Sequence, residues 1–156
     1  MAVTIREARP DDAAAIAELL GQLGYPTEAE AVVPRIARML AAGDRLVVAE
    51  VAGRVAGLAN LHVSPSIEYD APAAKLGALV VDEAHRGTGV GRALVAAMEA
   101  EARARGCAVF FLTTAERRGD AHAFYERIGL ACTGRRYAKP LLGVQENLEA
   151  DSEAGR

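Results

Sequence analysis

The sequence has little of what would announce a purpose. Only two of its 156 residues are cysteine, Cys107 and Cys132. Neither stands in a Cys-x-x-Cys or Cys/His spacing, so no metal site is expected. No stretch approaches the roughly 18 uninterrupted apolar residues of a membrane span, so no membrane partner is expected. The N-terminus lacks a basic region followed by a long apolar run, which together with free thiols gives the expectation of a cytoplasmic protein. No internal repeat is visible. An excess of charge is missing too: 18 Lys and Arg against 21 Asp and Glu leave a formal charge of −3 and a pI near 5.7. That balance offers nucleic acid and anionic lipid no global attraction, so any bound anion must be held by a local cluster of donors. What remains is an ordinary globular composition, 51% hydrophobic and 25% charged, in a chain long enough to bury one core.

Apolar periodicity divides the chain into alternating elements. Val3 to Arg6 reads as a strand, and Asp11 and Asp12 suit the first turn of a helix whose Ile16, Leu19, Leu20 and Leu23 share a face. Thr27 and Glu30 have capping-box spacing for a second helix with Val33, Ile36 and Leu40 inward, kinked or split at Pro34. Arg45 to Val51 and Arg54 to Val63 flank Ala52-Gly53 as a hairpin. Ser64 to Pro72 is a loop carrying Glu68, Tyr69 and Asp70. Leu76 to Val81 reads as a buried strand, followed by a glycine-rich turn and a helix to Arg105, with Glu99/Arg103 and Glu101/Arg105 at i,i+4 spacing. Cys107 to Thr113 is apolar enough for a central strand. Asp120 to Ile128 is a last helix, and Leu130 to about Tyr137 a last strand. Residues 1–142 are expected to form one domain. The tail from Gly143, with Glu146, Glu149, Asp151 and Glu153, is expected to be mobile.

The segment most telling about chemistry is Arg86-Gly87-Thr88-Gly89-Val90-Gly91-Arg92. Strand, glycine turn and helix together offer exposed N–H groups and a positive helix end to an anion, with phosphate the natural guest. Glycines let oxygens approach the main chain, and the arginine forks at the rim suit phosphate. A Walker loop is excluded because Gly91 is followed by Arg92 and Ala93, and a dinucleotide fingerprint because its sixth position, counted from Gly87, is Arg92.

These residues resemble the GNAT superfamily of acyl-CoA-dependent N-acetyltransferases over roughly residues 3 to 142. Leu79-Val80-Val81 leading into Arg86-Gly87-Thr88-Gly89-Val90-Gly91 is similar to the family's strand and (Gln/Arg)-x-x-Gly-x-(Gly/Ala) loop around the coenzyme A pyrophosphate. Ala121 to Leu130, with Phe124-Tyr125 and Gly129, is similar to its second block. The resemblance implies an α/β (α+β) fold with a mixed, mostly antiparallel central sheet flanked by helices on both faces, acetyl-CoA as co-substrate, and a homodimer. It assigns coenzyme binding to Leu79, Val80, Val81, Arg86, Gly87, Thr88, Gly89, Val90, Gly91, Arg92 and Phe124, with backbone groups of Leu79 and Val81 meeting the pantetheine arm. It places a general acid at Tyr125, a phenol protonated at neutral pH.

The resemblance departs at two points. The family often carries a Glu on the strand before the loop, whereas this strand reads Lys75-Leu76-Gly77-Ala78-Leu79. The base is therefore sought among Glu68, His62 and Asp82, with Glu68 preferred because its loop overhangs the acceptor end. Seven residues before Tyr125, where Asn is frequent in the family, stands Arg118, beside Arg117; both are candidates for a coenzyme phosphate or for solvent. His85 and His122 are expected on exposed surfaces. The function implied is acetyl transfer to the primary amine of a small molecule, with Glu68, Asp70, Asp82 and Glu83 lending the acceptor mouth negative character. The alternatives are a peptide or protein amine, a non-catalytic acyl-CoA-binding domain, and a nucleotide-binding regulatory module.

Overall fold

A computed structural model describes residues 2–113 and 119–142. Arg117, Arg118 and the acidic tail from Gly143 lie outside the described residues. The chain divides into two compact units, one ending at Leu112 and the other beginning at Thr113.

The first unit is built on a five-stranded sheet in sequential order. Strands β1 (Val3–Glu7), β2 (Arg45–Val51), β3 (Arg54–Ser64) and β4 (Ala73–Val81) pair antiparallel, and β5 (Val109–Phe111) joins β4 in parallel. The β2–β3 hairpin turns where the sequence indicates, with Ala52 and Gly53 both at positive φ, 49° and 75°. Two left-handed residues give the primed turn whose twist matches the flanking strands.

Helices cover both faces. On one face lie α1 (Ala13–Leu23) and α2 (Ala29–Ala41), where Ile16, Leu19, Val32 and Ile36 close over Leu46, Val48, Leu58 and Val80. On the other lies α3 (Val90–Ala104), which comes so close to β3 that a Cβ on Gly57 would meet Leu94 Cδ1 at 2.9 Å and Val90 Cγ1 at 3.1 Å. Gly57 is therefore the residue that lets this helix pack flat on the sheet. Entry to α1 is fixed by charge. Asp12, buried, takes two bonds of 2.9 Å from the Arg6 guanidinium and one of 2.8 Å from the Arg9 amide. Arg6 also reaches Glu50 at 2.6 Å.

Several expectations require correction. In α2 the inward stripe is Val32, Ile36 and Met39, while Val33 and Leu40 face out. The i, i+4, i+7 set fills the core, and the helix runs on through Pro34 without a break. Its N-cap is Glu28, since the Thr27 hydroxyl donates instead to the Tyr25 carbonyl. The segment from Cys107 is not a central strand: β5 spans three residues at the end of the sheet among the described strands, leaving Phe111 40% exposed.

In the second unit, α4 (Gly119–Arg127) ends as Leu130 N–H bonds to the Tyr125 carbonyl and Gly129 adopts φ 97°. Leu130 to Tyr137 is not a strand. After Cys132 the run turns to Gly134, Arg135 and Arg136, with no alternating apolar face to bury.

Candidate active site

The site grows from two irregularities at β4. The first is its edge. Strand β5 pairs only with Ala73, Ala74 and Lys75, so from Leu76 to Val81 that side of β4 has no strand partner among the described residues. Unpaired main-chain groups of this kind suit an extended, amide-bearing ligand added as a further strand. Leu79, Val80 and Val81 lie on this stretch, Val80 buried and its neighbours half-buried. The Val81 carbonyl is partly occupied, accepting from Arg86 Nε at 3.4 Å.

The second irregularity is a bulge. Ala59 pairs with Leu79 but Leu61 with Leu76, so Gly77 and Ala78 together stand opposite Asn60. The Asn60 Oδ1 accepts the Ala78 N–H at 2.6 Å and replaces the missing ladder bond. A Cβ on Gly77 would lie 2.5 Å from that oxygen, so only glycine leaves room for the carboxamide.

Beyond β4 the chain makes a short 3₁₀ turn, Glu83–His85, and then the glycine loop into α3. Gly87 and Gly89 take φ of 73° and 94°, the left-handed region that side chains with a Cβ resist, and both are exposed. Among the described residues, the amides from Gly87 to Arg92 donate to no protein acceptor; the first bond closing the helix is Ala93 N–H to Gly89 O, 3.1 Å. Arg86, Thr88 and Arg92 are exposed around them, while Val90 is buried and anchors the turn. The sequence-predicted cradle residues are thus brought together at the N-terminus of a fifteen-residue helix.

This loop is tied down from an unexpected quarter. Gln22, on the last turn of α1, donates from Nε2 to Asp82 Oδ1 and accepts the Glu83 N–H on Oε1, both at 3.0 Å. The other Asp82 oxygen lies 3.1 Å from His85 Nδ1. The bonds from Gln22 and then His85 hold the Asp82 carboxyl below its usual range. With one such contact on each oxygen, Asp82 anchors the start of the loop. His85 is half-buried in this network and not on a free surface. Thr88 Oγ1 bonds to the His85 carbonyl and carries the network into the loop.

The remaining candidates fall elsewhere. Glu68 is exposed in the loop before β4, its amide donating to Ser66 Oγ at 3.1 Å. His62 stands near the end of β3 with Nδ1 2.5 Å from Asp44 Oδ1. Tyr125 and Phe124 are half-buried on α4, their rings edge to face at 5.4 Å. Glu68 belongs to the first unit and Tyr125 to the second. Among the described residues no group of His, Cys, Asp and Glu could hold a metal ion, and no helix is long and apolar enough to cross a membrane.

A model of the Acetyltransferase (GNAT) family matches residues 13–130. The chain belongs to that family. Its glycine loop and open β4 edge both fall within the matched span. A curated relative, aminoalkylphosphonate N-acetyltransferase of Salmonella typhimurium, is 35% identical over 89 residues, covering 57% of this chain and 58% of the relative. A Trypanosoma brucei acetyltransferase superposes with a TM-score of 0.77 at 26% identity, over 90% of this chain and 100% of that one. An aminoglycoside N-acetyltransferase solved in complex with CoA gives a TM-score of 0.77 at 20% identity, over 90% and 95% of the two chains, a likeness of fold. The mixed, mostly antiparallel sheet with helices on both faces is that of these GNAT neighbours.

Sequence reasoning missed Asn60 and Gln22. Asn60 did leave a signal, as the lone polar residue in the run Ala56-Gly57-Leu58-Ala59-Asn60-Leu61. Gln22 left none, because its partners lie sixty residues on.

Proposed function

We propose that this GNAT acetyltransferase moves an acetyl group from acetyl-CoA to the primary amine of a small molecule. The observation that carries the reading is the row of unspent amides from Gly87 to Arg92 beside the unpaired edge of β4. A diphosphate satisfies the first and a pantetheine arm the second, and coenzyme A has both. Arg86 and Arg92 add charge at the rim, and Phe124 contributes an apolar contact to the coenzyme. The small-molecule acceptor is supported by the curated relative, whose name specifies an aminoalkylphosphonate.

The reaction proceeds by direct attack. The neutral amine nitrogen bonds to the thioester carbon, the carbonyl electron pair moves onto oxygen, and collapse of the adduct breaks the C–S bond. The nitrogen gives up a proton, and the departing thiolate takes one. Tyr125 is the acid in this scheme, since a phenol is protonated at neutral pH and its reference pKa is close enough to a thiol's to donate. Glu68 is the base, acting directly or through water from the loop that leads into β4.

The test is thiol release from acetyl-CoA over a panel of aminoalkylphosphonates, amino sugars, diamines and short peptides. Amine-dependent release with small amines, and an acetylated amine as product, is the expected result. Binding of acetyl-CoA with no transfer to any amine would instead mark a non-catalytic acyl-CoA-binding domain.

A further inference from the structure

Asn60 is 8% exposed and, with Asp12, one of two buried polar residues among those described. Asp12 has every reason to be there, since Arg6 and the Arg9 amide saturate it. Asn60 is only half satisfied. Its Oδ1 accepts the Ala78 N–H, which fixes the orientation of the carboxamide because an N–H must meet the oxygen end. The Nδ2 end then carries two N–H groups with no acceptor among the described residues. Buried donors are rarely left unmet, and those that are call for a ligand or a water.

The place matters as much as the deficit. Asn60 stands opposite Leu46 in the β2–β3 ladder, hence on the α1 and α2 face, and its carboxamide fills the space a side chain of residue 77 would take. Gly77 itself is exposed, so the surface of β4 is accessible there. On its other side β4 has just lost its partner. A pantetheine arm running from the glycine loop back past Val81 and Leu79 brings its thioester end to Gly77 and Ala78, two residues or about 7 Å beyond Leu79.

We propose that Asn60 is a catalytic hydrogen-bond donor whose Nδ2 binds the carbonyl oxygen of the thioester and the oxyanion that forms on it. This role rests on the acetyl-CoA reading above. The chemistry of the group selects the partner. A carboxamide N–H repels an ammonium and has nothing to offer a nitrogen lone pair that must attack carbon, whereas an acyl oxygen accepts it and accepts it more strongly as charge develops. The bulge holds the donor before substrate arrives, so no reorganisation accompanies the reaction.

Asn60→Asp tests this directly, because Asp keeps an oxygen for the Ala78 N–H and removes the donor. The variant should lower kcat about 100-fold or more with the KM for amine unchanged. In calorimetry, the wild type should bind acetyl-CoA more tightly than CoA and Asn60→Asp should not, while its CoA affinity stays within about threefold of the wild type's. Gly77→Ala keeps the Asn60 side chain but puts a Cβ 2.5 Å from its Oδ1 and 2.7 Å from Nδ2, so the carboxamide must shift and kcat should fall in the same way. If Asn60→Asp transfers acetyl at the wild-type rate, this role is wrong and the transferase reading stands. If both variants lose CoA affinity in step with kcat, Asn60 merely holds the strand and the proposal is likewise wrong. If the wild type transfers to no amine, the transferase reading falls and takes this role with it.

Discussion

Gln22→Leu should loosen the coenzyme without touching the chemistry. Gln22 makes one hydrogen bond to an ionised carboxylate and one to a backbone amide, both at 3.0 Å and both joining α1 to the start of the glycine loop. Net of exchange with water, a bond to a charged group contributes about 1.5–3 kcal/mol and a neutral one about 1 kcal/mol when buried, and less where the site is partly open. Gln22 is half-buried, so about 1–2 kcal/mol of loop order should be lost. Expressed as coenzyme affinity, that is a 5- to 30-fold rise in Kd at roughly 1.4 kcal/mol per tenfold. Titration calorimetry with CoA reads it, and initial rates should show KM for acetyl-CoA rising with kcat and the acceptor KM unchanged. The effect should be flat from pH 5 to 8. Asp82 has a folded pKa below its unfolded value, so its contribution is complete above about pH 3.9 and is lost only as pH falls through the folded value. Gln22→Glu sets a second carboxylate against Asp82, so its coenzyme affinity should be weak at pH 7 and recover as pH falls toward 5. An unchanged Kd in Gln22→Leu, or an equal rise in both KM values, would mean that Gln22 does not order the loop.

Further outcomes follow from the Arg6–Asp12 pair, from the glycine loop and from the proposed role of Tyr125. Arg6→Met strands the buried Asp12 carboxylate and should cost about 2–4 kcal/mol in urea unfolding; a loss under about 1 kcal/mol would contradict the packing described here. Arg6 holds the Asp12 carboxyl below its ordinary range, so wild-type stability falls as pH drops below about 4, and the decline should be shallower in Arg6→Met. Gly89→Ala meets no steric obstacle but forces alanine to φ 94°, costing about 1–2 kcal/mol of backbone strain; calorimetry should show CoA binding about tenfold weaker with the fold intact by circular dichroism. Tyr125→Phe should lower kcat about 100-fold with KM for acetyl-CoA unchanged, and an unaltered rate would remove the phenol from the mechanism.

The sequence revealed most where a local rule was also the global solution. The hairpin at Ala52-Gly53 and the α3 ion pairs Glu99–Arg103 and Glu101–Arg105, at 3.5 and 2.9 Å, are set by neighbours in the chain and were legible. The glycine loop was legible for the same reason, since left-handed backbone at Gly87 and Gly89 demands that residue type. Choices between near-equivalent faces were not. Val32 and Val33 are both apolar, and only packing against Leu46 and Val48 decides which turns inward. Site residues defined by long-range pairing were hidden as well. The β4 bulge is a register shift against β3, and the Gln22 clamp spans two elements with no shared motif. Asp82 read as an acid at the acceptor mouth, and its part in anchoring the loop through Gln22 and His85 was not legible.

Truncating the coenzyme probes whether the glycine loop grips a diphosphate. Acetyl-CoA and S-acetylpantetheine share the thioester and the amide-bearing arm but differ in the 3′-phosphoadenosine diphosphate, whose diphosphate the amides from Gly87 to Arg92 should grip. Calorimetry on the wild-type protein should show acetylpantetheine binding at least about 100-fold more weakly than acetyl-CoA, as loss of several charge-assisted bonds requires. Equal affinity for the two would mean that the loop holds no phosphate and that the site has been misread.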